Sequence, residues 1–158
     1  MLMEKYEWGN LNGDIYLDET NIRMTMNFRN NFSRLAEQLI SEDQHKQAGY
    51  VLDRCMELMP KEKVPLNYFI HPIVESYYEI QNLEKANTLV SELHEIYVSE
   101  LDYFFGFPKT KIEGVQLEIL KNLQFYNNLI EISSKYKHPN NDQIMRDFEI
   151  FYQEFLAL

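Results

Sequence analysis

The chain has 158 residues, 45% of them apolar and 14% aromatic, with a formal charge of −10 and a pI near 4.8. That length suits one domain with a real core, and only five Gly and five Pro leave little material for a turn-rich β fold. The acidic balance argues against nucleic acid or an anionic membrane as partner, because phosphate binding needs clustered Lys and Arg, and a lone Cys55 excludes an internal disulfide or a cysteine-based zinc site.

Residues 1–23 read as an irregular lead-in that packs on the first helix. Gly9-Asn10-Leu11-Asn12-Gly13-Asp14 is dense turn signal, Ile15-Tyr16-Leu17 is a short apolar clip, and Asp18 or Thr20 can cap that first helix. The start, Met1 to Trp8, has no apolar core of a signal peptide and reads as a cut rather than a natural beginning. No stretch reaches the ~18 apolar residues needed to span a bilayer, so direct membrane insertion by this segment is not expected.

The spacing predicts a first helix over Met24–Ser41 and a second over Gln44–Leu58. The second buries Ala48, Val51, Leu52, Cys55 and Met59. Pro60 to Pro65 is a connector. A third helix covers Leu66–Ile80, where Pro72 forces a kink or a late start. Gln81-Asn82 is a tight turn into a fourth helix over Leu83–Phe104. Gly106 to Lys109 ends it, and Thr110 is a good cap for a fifth helix over Lys111–Lys135. His138-Pro139-Asn140-Asn141 breaks the chain before a sixth helix, Asp142–Phe155.

A 38-residue pattern organises these elements. Phe32-x2-Leu35-Ala36-x2-Leu39, then Ala48-x3-Leu52 and Pro60, recurs as Ile70-x2-Ile73-Val74-x2-Tyr77, then Ala86-x3-Val90. It follows the tetratricopeptide skeleton, lengthened by about four residues over the usual ~34. Small Ala48 and Ala86 fall where the second helix of each pair crosses the first closely. The expected fold is therefore all-α: a tetratricopeptide-like, right-handed array of antiparallel helix pairs with about six helices. Two pairs occupy 24–105, and a capping pair occupies 106–158, in one compact domain overall.

Catalytic signal is weak. No HExxH, CxxC, GxSxG, P-loop or GxGxxG occurs, and no cofactor or metal is implied. His45, His71, His94 and His138 are scattered in sequence. Glu95 does not share the His94 face, so His94 reads as solvated helix surface, and Gly9 to Asp14 lacks the ligand pattern of a calcium loop. Arg23, Arg29 and Arg34 are expected to pair locally with Asp18, Glu19 or Glu37. The more informative surface is the one that the first helix of each pair turns toward a groove. Asn30, Ser33, Arg34, Glu37 and Ser41 face it from the first repeat, and Tyr68, His71, Glu75 and Tyr78 from the second. Aromatics among mixed polar groups suit a protein or peptide partner. The competing expectation is an enzyme in which a carboxylate or His71 serves glycosyl transfer or hydrolysis.

Tyr6-Glu7-Trp8-Gly9-Asn10-Leu11-Asn12, Tyr16-Leu17-Asp18-Glu19, Arg23-Met24-Thr25-Met26-Asn27-Phe28-Arg29, Val51 through Pro60 and Lys63-Val64-Pro65-Leu66-Asn67-Tyr68-Phe69 carry a likeness over most of residues 5–105. In combination they resemble the C-terminal soluble region of a multi-spanning membrane family of Bacteroidetes, of unknown function and related to GT-C protein O-mannosyltransferases. The resemblance implies a non-catalytic helical-repeat tail on the extracytoplasmic, periplasmic face of the inner membrane, docking on the membrane part of its parent chain, an acceptor polypeptide or a partner subunit. The family's sugar-transfer residues would lie upstream, and none has a counterpart here. A stand-alone chain would instead be a cytoplasmic adaptor.

Overall fold

A computed structural model describes Gly13 and residues 15–158. All regular secondary structure among the described residues is helical, with no strand. They form α1 (Glu19–Ser41), α2 (His45–Leu58), α3 (His71–Glu79), α4 (Leu83–Phe105), α5 (Lys109–Ile112), α6 (Gln116–Lys135) and α7 (Asn141–Leu156), with 3-10 turns at Tyr68–Ile70 and Glu113–Val115. No described helix is long and apolar enough to cross a membrane. Tyr6, Trp8 and most of the predicted Gly9–Asp14 turn lie outside the described residues.

Helix α1 starts five residues before the predicted Met24. Extended Asp18 accepts the Asn21 N–H at 2.7 Å, and Glu19 complements the positive helix end. Pro72 gives a late start: Asn67 caps a 3-10 turn through the Phe69 N–H, and α3 proper begins with Pro72 in its first turn. The predicted fifth helix is broken. Pro108 stands at the α5 N-cap and Thr110 lies inside that helix rather than capping it. Gly114 falls within the 3-10 segment before α6, where its poor helix propensity weakens continuity.

Three hairpin turns share one geometry. Asp43, Gln81 and Lys137 take left-handed φ values of 58°, 63° and 55°. At each, the next N–H reaches back five residues: Gln44 to the Leu39 carbonyl at 2.8 Å, Asn82 to Tyr77 at 2.9 Å, and His138 to Ser133 at 2.8 Å. A shorter bond closes each turn, from Asp43 to Ile40, Gln81 to Tyr78 and Lys137 to Ser134. These are Schellman motifs, which satisfy carbonyls left over at a helix end. The first two stand 38 residues apart, the period of the sequence repeat.

The chain divides into two compact units, Met1–Asn82 and Leu83–Leu158. The boundary falls between α3 and α4, the helices that the sequence pairs as a second repeat. In the first unit α1, α2 and α3 pack on one another around Phe32, Ala36, Leu52, Cys55, Ile73 and Tyr77, with Ala48 fully buried. A Cβ on Gly49 would stand 3.3 Å from Ile80 Cδ1, so α2 runs close to the end of α3. In the second unit α4, α6 and α7 pack around Val90, Leu93, Ile119, Tyr126, Leu129 and Ile144, and Ala86 is fully buried.

Candidate functional site

The predicted groove residues do not form one exposed surface. Asn30, Arg34 and Glu37 are exposed along α1 at i, i+4 and i+7, and Ser41 continues that line. Ser33 is buried instead, its hydroxyl donating to the Asn30 carbonyl at 3.0 Å. Tyr68 is 39% exposed on the 3-10 turn, its ring 4.3 Å from that of Phe69. Glu75 is half-buried, while His71 and Tyr78 are in the core. The reason lies in α3 itself: six of its nine residues are buried, on more than one face. A helix enclosed that far leaves only a narrow edge, Pro72, Glu75 and Glu79, to face a groove. Burial also drives the His71 imidazole down to about 4, so it is neutral at physiological pH.

Arg29 does not pair with a nearby carboxylate. Its side chain is fully buried, and it donates from Nη1 to the Pro65 carbonyl at 2.6 Å and from Nη2 to the Met59 and Val64 carbonyls at 3.1 and 2.5 Å. The guanidinium therefore ties α1 to the connector after α2. Its Nε has no hydrogen-bond partner among the described residues. Burial lowers Arg29 to about 10, with the neighbouring Cys55 opposing the shift, which leaves it charged at neutral pH. The buried Cys55 thiol is pushed up to about 12, mainly by burial, and so is protonated and inert. On the other side of α2, Tyr77 donates to Asp53 Oδ1 at 2.8 Å, joining α2 and α3.

The second unit holds a polar cluster drawn from three helices, and it corrects the reading of His94 as solvated surface. His94 on α4 is partly buried, with Nδ1 2.6 Å from the Tyr126 hydroxyl of α6 and Nε2 3.3 Å from Asp147 Oδ2 of α7. A carboxylate only accepts, which assigns the imidazole proton to Nε2 and leaves Nδ1 to accept from Tyr126. Burial lowers His94, outweighing Asp147 and Glu95, so the link is a neutral imidazole bridging phenol and carboxylate. His138 lies close enough to act on His94 electrostatically. Its Nδ1 accepts the Asn140 N–H at 3.1 Å, and its Nε2 stands 3.3 Å from the Asn87 carbonyl. Two of the four scattered histidines thus share a neighbourhood.

Chemically this cluster resembles a relay, yet its geometry suits structure better than reaction. Tyr126 is fully buried, and burial reinforced by Asp147 raises its phenol above the ordinary range. A protonated phenol without access to solvent is a poor nucleophile and a poor acid. The described residues contain no group of three or more His, Cys, Asp or Glu able to hold a metal. Sequence reasoning missed the roles of Arg29, Tyr126 and Asp147; the available signal was the position of His94 beside core residue Leu93 and of Asp147 beside half-buried Phe148. Comparison with known proteins finds no family model, no curated protein and no solved structure that matches this chain.

Proposed function

We propose that this chain is a non-catalytic, tetratricopeptide-like interaction domain, and that it serves as the soluble tail of a membrane protein related to GT-C glycosyltransferases. The observation that carries the repeat reading is the recurrence of one hairpin turn at Asp43 and Gln81, at the same 38-residue period as the buried Ala48 and Ala86. Repeat arrays of this kind expose extended faces for protein or peptide partners. The exposed α1 line of Asn30, Arg34 and Glu37, with Tyr68 beyond it, is the part of the predicted surface that solvent reaches. The enzymatic alternative loses support because His71 is enclosed and neutral. The partner is a protein surface, foremost the membrane part of the parent chain on its periplasmic side.

The test begins with the reading frame that encodes the chain. Membrane spans ahead of Met1 are expected. Co-purification of the 158-residue chain with that membrane portion should then succeed for wild type and fall roughly tenfold for Arg34→Glu combined with Glu37→Arg, as reversed rim charges do. A frame without spans would favour a stand-alone cytoplasmic adaptor, and equal recovery of the variant would remove the α1 line from the interface.

A further inference from the structure

A surface helix ordinarily keeps its apolar residues on the side that faces the core. Helix α7 carries them on its outward side as well. Ile144 and Phe151 fill the core, while Met145 and Tyr152 are 47% and 40% exposed and Leu156 is 60% exposed. With half-buried Phe148, they fall at i, i+3, i+7 and i+11, a continuous stripe along one side of the helix. The stripe has a firm floor: Phe148 stacks on Tyr152 with ring centres 5.7 Å apart, and meets Tyr126 edge-on at 5.5 Å. Asp142 and Glu149 flank Met145 at i−3 and i+4 and border the stripe, both exposed, and Gln153 donates to Glu149 at 2.7 Å. Arg146 is the one basic residue on α7, against Asp142, Asp147, Glu149 and Glu154.

We infer that this side of α7 docks an amphipathic helix whose apolar face is bordered by Lys or Arg. The spacing fits the i, i+3, i+7 anchors of helix-on-helix recognition, and the acidic border selects the sign of the partner's flanks. A second copy of this chain would bring the same acidic border and a further −10 charge to the same place. The inference deepens the interaction reading above and rests on it, while assigning a face and a partner chemistry that the α1 variants do not touch.

A fluorescein-labelled helical peptide of about 18 residues, Leu on one face and Lys on the other, probes the site by anisotropy against the same peptide with Glu for Lys. The Lys peptide should bind at least about tenfold more tightly than the Glu peptide. Tyr152→Asp should weaken the Lys peptide by about tenfold or more, and Leu156→Asp likewise. Ile150→Asp, 63% exposed but away from the stripe, should leave binding unchanged. Unspecific attraction to an acidic protein predicts the reverse, since each Asp adds negative charge. Equal or tighter binding by Tyr152→Asp and Leu156→Asp, both folded by circular dichroism, would overturn the proposal. So would sedimentation of wild type as a dimer that Tyr152→Asp dissociates, because the stripe would then belong to a second copy. Either failure leaves the α1 co-purification result standing, so the two readings fail separately.

Discussion

Arg29 joins α1 to the connector after α2 in the first unit. It is a buried cation held by three backbone carbonyls rather than a carboxylate, so removing it strands the buried Met59 and Val64 acceptors. Arg29→Ala is expected to lower stability by roughly 3 kcal/mol or more. Arg29→Lys should recover only part of that, because an ammonium lacks the planar fork. Urea denaturation followed by circular dichroism reads both, and near-complete recovery by Arg29→Lys would mean that stem packing and charge, not donor geometry, set the effect. Nothing in the order of side chains could announce this contact. The acceptors are main-chain atoms 30 to 36 residues away, and backbone carbonyls look alike in every sequence. The His94, Tyr126 and Asp147 contact escaped for a related reason: its members come from three helices far apart in sequence.

At the scale of the element, small residues at a fixed period were legible and enclosed helices were not. Ala48 and Ala86 stand out because a methyl among larger neighbours marks a close approach, and both are fully buried. Ala86→Leu should therefore cost about 2–3 kcal/mol by overpacking its fully buried site on α4. A urea midpoint equal to wild type would place Ala86 away from any tight crossing. Reading α3 failed because periodicity assumes one wet side, and this nine-residue helix has almost none. The assignment of Tyr78 and His71 to an open groove went with that assumption. On helix α7 the opposite happened: an apolar stripe on the outside went unread.

For the whole molecule, histidine burial sets the response to acid. His71 in the first unit falls to about 4, and His94 and His138 in the second are also lowered, each chiefly by burial. With folded values below the unfolded value near 6.5, the unfolded chain binds protons first as pH falls. Stability is thus complete above about pH 6.5 and declines below it, His71 contributing down to about pH 4. Its share is worth roughly 3 kcal/mol across that window. Denaturation midpoints at pH 7.5 and pH 5 should differ accordingly, and His71→Phe should flatten the dependence; an unchanged slope would relieve His71 of that role. The all-helical class was readable from the scarcity of Gly and Pro and from apolar spacing, whereas the division at Asn82 and Leu83 has no mark in composition.

Asp43, Gln81 and Lys137 each hold a full side chain where the backbone bends the unfavourable way, at about 1 kcal/mol or more apiece. Glycine would rest there freely. Against a net stability of order 10 kcal/mol, three such concessions are a sizeable fraction. The molecule therefore operates below the rigidity its own backbone could reach, with its corners as the places where firmness has been left unclaimed.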